Sequence, residues 1–84
     1  MYSLEYEQNA VHTLKRLNQT DYNRIILKTM ELAENPRPRG CRKLEGSVSD
    51  YQIRIGDWRV IYEVDDPEQT VRVLRIVLRK DAYR

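Results

Sequence analysis

Tyr51-Gln52-Ile53-Arg54-Ile55-Gly56-Asp57-Trp58-Arg59-Val60-Ile61-Tyr62 reads as a β-hairpin. Tyr51, Ile53 and Ile55 alternate with Gln52 and Arg54, the period of a strand with one buried face. Gly56-Asp57 supplies a two-residue turn with glycine at the first central position, as a type II′ turn requires. That turn pairs Ile55 with Trp58, Arg54 with Arg59, Ile53 with Val60, Gln52 with Ile61 and Tyr51 with Tyr62. Ile53, Val60, Tyr51 and Tyr62 then share one face, and Arg54, Arg59, Gln52 and Ile61 share the other.

The flanking segments extend this sheet and cover it. Downstream, Asp65-Asp66-Pro67-Glu68-Gln69 makes a longer turn into a last strand, Val71 to Leu78, with Leu74, Ile76 and Leu78 on the apolar side and Arg75, Val77 and Arg79 on the arginine side. Upstream, Asn35-Pro36-Arg37-Pro38-Arg39-Gly40 ends a helix, because proline disfavours helical backbone in the residue before it. That helix is expected from a cap at Thr20 or Asp21 to Glu34, with Tyr22, Ile25, Ile26, Met30 and Ala33 along one side. A shorter helix is expected over residues 10–18, capped by Asn9, with Val11, Leu14 and Leu17 at helical spacing. Tyr2, Leu4 and Tyr6 alternate as a first strand. The two helices form an αα-hairpin, and their stripes are wide enough for one covered face only. The expected fold is therefore α+β: a strand, an αα-hairpin, then an antiparallel sheet of three or more strands. Helices cover one face, and the other is solvated and basic. Residues 1–84 suffice for one domain and no more.

Charge is segregated along this chain. The formal net charge is only +2, yet of 15 basic residues 11 are arginine and nine of those follow residue 36. Residues 63–70 carry only acidic charges, at Glu63, Asp65, Asp66 and Glu68, and read as a solvated hairpin end. Arginine in place of lysine favours planar, bidentate contact with phosphate or carboxylate, so a nucleic acid or an acidic protein is a natural partner. Like charges opposite each other on a hairpin cost roughly 0.2–1 kcal/mol, and nothing in folding asks for Arg54 beside Arg59. Two readings remain open: the arginines splay into water or pair with Glu63 and Asp81, or they form an anion site, most simply for a phosphate.

Other classes of function find little support. The single Cys41 and single His12 permit no intramolecular disulfide and no zinc site between them. His12 reads as a helix-flank residue and Cys41 as a loop thiol. No apolar run approaches the ~20 residues of a membrane span, and the acidic start Met1-Tyr2-Ser3-Leu4-Glu5-Tyr6-Glu7 is unlike a signal peptide, so a cytoplasmic location is expected.

Three separated motifs carry a resemblance. Arg42-Lys43-Leu44-Glu45-Gly46, the hairpin from Tyr51 to Tyr62, and the ending Leu78-Arg79-Lys80-Asp81-Ala82-Tyr83 occur in the order and at the spacing of the RelE/ParE toxin superfamily. The layout is similar to the RelE branch, the toxins of toxin–antitoxin pairs. The resemblance implies a RelE-like βααβββ fold with a basic cleft. It implies ribosome-dependent cleavage of mRNA in the A site of the 70S ribosome, without metal or other cofactor, by attack of the RNA's own 2′-OH. Its catalytic set falls on Arg59 for the phosphate, Arg79 for the leaving group or transition-state charge, Tyr83 for stacking on the nucleotide, and Arg54 where a catalytic lysine often stands. Lys43, Gln52, Trp58 and Lys80 fall at positions expected to touch RNA, although Trp58 reads equally as a core cap and Tyr83 also as a packing residue. Gln52 is neutral where a basic residue can occur, and Leu78 stands where the closing motif often has histidine; both departures leave the general base without an owner. The resemblance also implies a cognate antitoxin, a toxin–antitoxin hetero-oligomer, and operator DNA reached only through that antitoxin. A ParE-like inhibitor of DNA gyrase, or a catalytically weak member acting through antitoxin and operator binding, are the alternatives.

Overall fold

In the computed structural model, which describes residues 1–81, the hairpin forms with the expected register. In chain order the elements are β1 (Ser3–Tyr6), α1 (Gln8–Leu14), α2 (Gln19–Glu34), β2 (Arg42–Lys43), β3 (Asp50–Ile55), β4 (Trp58–Asp65), β5 (Thr70–Leu78) and a closing 3-10 turn (Arg79–Asp81). Gly56 takes φ +60° while Asp57 keeps a negative φ, the signs a type II′ turn requires. The five strands are ordered β1-β5-β4-β3-β2. All neighbours are antiparallel except β1 and β5, which run parallel because the helices carry the chain across the sheet between β1 and the later strands. The two-residue β2 is an addition to the expected layout; its brevity left no alternation to read.

Both helices differ from expectation at their starts. α1 begins at Gln8, two residues early, and Asn9 is not its cap. The ladder of β1 reaches Glu7, whose N–H donates to the Val73 carbonyl at 2.8 Å, and the chain turns into the helix there with no side-chain cap. It ends at Leu14, four residues early, as Arg16 and Leu17 tighten into bonds to the residue three back. α2 is capped by Asn18 rather than Thr20 or Asp21: Asn18 Oδ1 accepts from the Asp21 N–H at 2.8 Å. The buried stripe of α2 is Ile25, Thr29, Leu32 and Ala33. Tyr22 and Met30, expected on that side, are exposed, because α2 lies over the sheet rotated from the face the sequence favoured. Thr29 sits in the core because its hydroxyl has partners, donating to the Ile26 carbonyl and sharing a 2.6 Å bond with Tyr6 Oη.

The core joins Ala10, Leu14, Ile25 and Leu32 of the helices to Ile53, Ile55, Val60, Tyr62, Val64, Val71, Val73 and Ile76 of the sheet. With no phenylalanine in the chain, Tyr62 is the largest fully buried side chain. Its ring stacks on Tyr51 at 5.8 Å, and its hydroxyl donates to the Pro36 carbonyl at 2.8 Å. Burial, then neighbouring Cys41, push its pKa well up. Leu74 is the exception to the expected pattern on β5. Opposite Ile61 and Tyr62 the partners are Arg75 and Val73, so Leu74 is an extra, bulged residue. The bulge flips the alternation, and Val71 and Val73, not Leu74, fill the core before it.

The acidic turn is not merely solvated. Asp66 accepts from Tyr2 Oη at 2.6 Å and from Arg37 Nη2 at 2.7 Å, while Arg37 Nε donates to Tyr51 Oη at 2.9 Å. This network fastens the β4–β5 turn to the chain's start and to the loop after α2.

Candidate functional site

Across the face away from the helices, the register builds two rows. Arg42, Gln52, Ile61 and Arg75 form one, and Arg54, Arg59 and Val77 form the other. Arg54 and Arg75 are exposed, whereas Arg59 is only 8% exposed. Its Nη1 donates to Gln52 Oε1 at 3.2 Å, a diagonal contact between β4 and β3. Arg79 enters from the end of β5, where its N–H donates to the Asp57 carbonyl at 2.7 Å. That bond fastens the closing turn to the hairpin turn, and Asp57, Leu78, Arg79 and Lys80 line a hollow of about 530 Å³ between them. Arg54, Arg59, Gln52, Arg79 and Lys80 are thus gathered around one end of the sheet. Tyr83 lies outside the described residues.

Two expected RNA contacts are placed elsewhere. Lys43 is opposite Tyr51, on the side of Tyr51 and Tyr62, and Arg42 takes the position opposite Gln52. Trp58 is opposite Ile55 and Leu78, packed against the core, and its Nε1 donates to Asp21 Oδ2 at 3.1 Å in the first turn of α2. Of the two readings for Trp58, the core cap is the one its surroundings match. His12 is exposed on α1, and Cys41 is half-buried among the core's partly covered residues. Arg42 escaped notice because β2 is too short to show a period.

Carboxylates decide which end of this face stays positive. At the β1 side, Arg72 is held by Glu63 and by Glu5 Oε1 at 3.2 Å, with Glu7 at 3.9 Å; Glu5 first and Glu63 after it raise its pKa. Glu63, one of the expected partners for the site arginines, is therefore engaged with Arg72. Among the side chains the structure describes, which do not include that of Asp81, the other expected partner, no carboxylate forms an ion pair with Arg54, Arg75 or Arg79. Around the hairpin turn the register sets Arg54 opposite Arg59, while Arg79 and Lys80 line the hollow beside Asp57. Such an arrangement stabilises developing negative charge. It does not offer a proton acceptor, because guanidinium groups stay protonated.

The family model described as "ParE toxin of type II toxin-antitoxin system, parDE" matches residues 4–83, from β1 through the closing turn and beyond. The chain belongs to this RelE/ParE family of type II toxins. No curated protein matches it in sequence. Among solved structures, it is similar to RelE in the archaeal RelE–RelB complex from Pyrococcus horikoshii OT3, with 30% identity, 96% of this chain and 98% of that chain covered, and a TM-score of 0.85. It is similar to the intact E. coli RelBE toxin–antitoxin complex at 27% identity, covering 90% and 94% of the two chains with a TM-score of 0.80. The isolated E. coli RelE toxin aligns at 26% identity over 93% and 84%, with a TM-score of 0.82. The family model carries the ParE name while these solved toxins carry the RelE name, so membership alone leaves the target of this toxin open. No helix among the described residues is long and apolar enough to cross a membrane.

Proposed function

We propose that this toxin is a ribosome-dependent endoribonuclease that cleaves mRNA in the A site of the 70S ribosome and so inhibits translation in the cytoplasm. The observation that carries the reading is Arg59, a guanidinium buried in a sheet face, held by Gln52 and set opposite Arg54. Folding gains nothing from that pairing, whereas a scissile phosphate would. The 2′-OH gives its proton to water as its oxygen attacks phosphorus, the P–O5′ bond breaks, the departing 5′-oxygen takes a proton from water, and the products are a 2′,3′-cyclic phosphate and a 5′-hydroxyl. Arg59 holds the phosphate, and Arg79 stabilises the transition-state charge by hydrogen-bonding the departing 5′-oxygen or the phosphoryl oxygens. Arg54 lowers the cost of ionising the 2′-OH, and Tyr83 stacks on the nucleotide. Lys80 contacts neighbouring phosphates. The chemistry as written uses no metal or cofactor. The ribosome supplies alignment, which is worth enough to tolerate a weak base.

A cognate antitoxin is the expected partner, since the similar toxins from P. horikoshii and E. coli were solved with RelB. It would form a hetero-oligomer with this chain and bring it to operator DNA. The ParE name of the matching family model favours a second reading, inhibition of DNA gyrase. Incubating the protein with mRNA, with and without 70S ribosomes, separates them. Cuts only in the presence of ribosomes support the nuclease, and intact mRNA in both reactions contradicts it; a parallel supercoiling assay reads out gyrase.

A further inference from the structure

The arginine face does not stop at the margin of the sheet. β2 pairs with β3 only through Arg42 opposite Gln52 and Lys43 opposite Tyr51, so among the described residues no strand lies beside the edge of β3 beyond Gln52. In a two-residue hairpin the residues flanking the turn, Ile55 and Trp58, bond to each other, and alternation sends the N–H and C=O of Arg54 to the opposite, open side. The Leu44 N–H donating to the Asp50 carbonyl at 2.9 Å confirms that even-numbered residues of β3 face that side. Arg54 therefore turns to this edge a guanidinium and a backbone N–H that has no partner among the described residues.

Directly below the edge lies α2, and between them runs a groove of about 370 Å³ lined by Arg24, Leu27, Lys28, Glu31, Arg54, Ile55 and Gly56. Arg24 reaches across to the hairpin turn. Its guanidinium packs flat on Gly56, so close that a Cβ there would stand 3.2 Å from Nη1. Arg24 is exposed and, among the described residues, has no hydrogen bond or ion pair. Glu31 is engaged with Lys28 at 3.2 Å, leaving the guanidiniums of Arg24 and Arg54 unneutralised.

We propose that this groove is a second phosphate subsite, holding the RNA backbone next to the phosphodiester bound at Arg59. The inference rests on the nuclease reading above and adds a track to it: RNA passes over the β3 edge, with Arg54 shared by both subsites. Two unneutralised guanidiniums and a backbone N–H on one edge suit a phosphate, whose recognition is independent of base sequence, and the aliphatic Leu27 and Ile55 beside them leave room for the sugar. An acidic peptide adding a strand to the same edge is the competing occupant.

The test uses the whole protein and a fluorescent 2′-O-methyl RNA oligomer, which binds without being cut. Affinity is measured across a salt series for wild type, Arg24→Ala, Arg59→Ala and Arg16→Ala, an exposed α1-side arginine outside both subsites. Arg24→Ala should lower affinity about five- to tenfold at low salt and reduce the slope of log K against log salt by about 0.7, the loss of one single-strand phosphate contact. Its effect should add to that of Arg59→Ala, and Arg16→Ala should behave as wild type. Wild-type affinity and slope in Arg24→Ala would overturn the second subsite alone. Wild-type protein that binds no RNA would likewise overturn the second subsite, while the cleavage assay on ribosomes separately decides the nuclease reading. Displacement of bound RNA by a short polyglutamate at lower concentration than by competing RNA would assign the groove to an acidic peptide.

Discussion

Arg59 Nη1 and Gln52 Oε1 lie 3.2 Å apart, joining diagonal neighbours on the two strands of the central hairpin. A guanidinium has only donors, so the amide oxygen must face it, and the Gln52 NH₂ is left as a neutral donor. Gln52 thus holds the planar fork of Arg59 in one orientation. Removing it in Gln52→Ala should lower single-turnover cleavage on programmed ribosomes by about 10- to 100-fold, the scale of a small misplacement at a reacting centre. Unchanged turnover in that variant would remove Gln52 from the site.

Arg59 itself should matter more. Loss of one preorganised charge donor costs about 10²–10³ in rate, so Arg59→Ala should fall by that much in the same assay. Arg59→Lys should recover only part, since an ammonium keeps the charge and loses the two-pronged geometry. A lysine variant with full activity would show that charge alone suffices.

Acid should loosen the network around Asp66. Its carboxylate is held below the ordinary value of 3.8 by Arg37 first and Tyr2 second. A depressed folded-state pKa contributes stability above the unfolded value and loses it as pH falls through the folded one. Asp66→Asn should therefore melt at a lower temperature than wild type at pH 7, and the two should converge as pH drops below about 4. A gap in melting temperature that stays constant from pH 7 to pH 3 would contradict this.

The core tyrosine offers a separate test. Tyr62→Phe removes the donor to the Pro36 carbonyl and should cost about 1–3 kcal/mol in urea unfolding, the penalty for a buried acceptor left unsatisfied. Ile25→Ala, at a fully buried position facing the sheet, should cost about 2–5 kcal/mol by opening a cavity. A smaller loss for Ile25→Ala than for Tyr62→Phe would mean α2 packs more loosely on the sheet than its burial indicates.

The hairpin was legible because three local signals agreed: alternation, the Gly56-Asp57 turn, and the pairing it forces. Arg54 opposite Arg59 followed from that arithmetic, and the structure has it. Elements decided by tertiary context were not legible. Nothing near Leu74 in sequence marks a bulge, and Arg42-Lys43 is too short to alternate. Asn18 prevailed over Thr20 and Asp21 as the cap of α2, while Asp21 instead receives Trp58 Nε1. That bond draws Trp58 to the helix side. Arg24 was invisible as a site residue for the same kind of reason: only the fold brings α2 under the hairpin turn, onto Gly56.

Whether these arginines cut RNA through its own 2′-OH is read out on ribosomes programmed with an mRNA carrying a single 2′-deoxy nucleotide at the A-site cut position. All-ribose mRNA should be cleaved to a 2′,3′-cyclic phosphate and a 5′-hydroxyl, the 2′-deoxy mRNA should stay intact, and Arg59→Ala should leave both nearly uncut. Cleavage of the 2′-deoxy mRNA, or intact all-ribose mRNA with the wild-type protein, would contradict this.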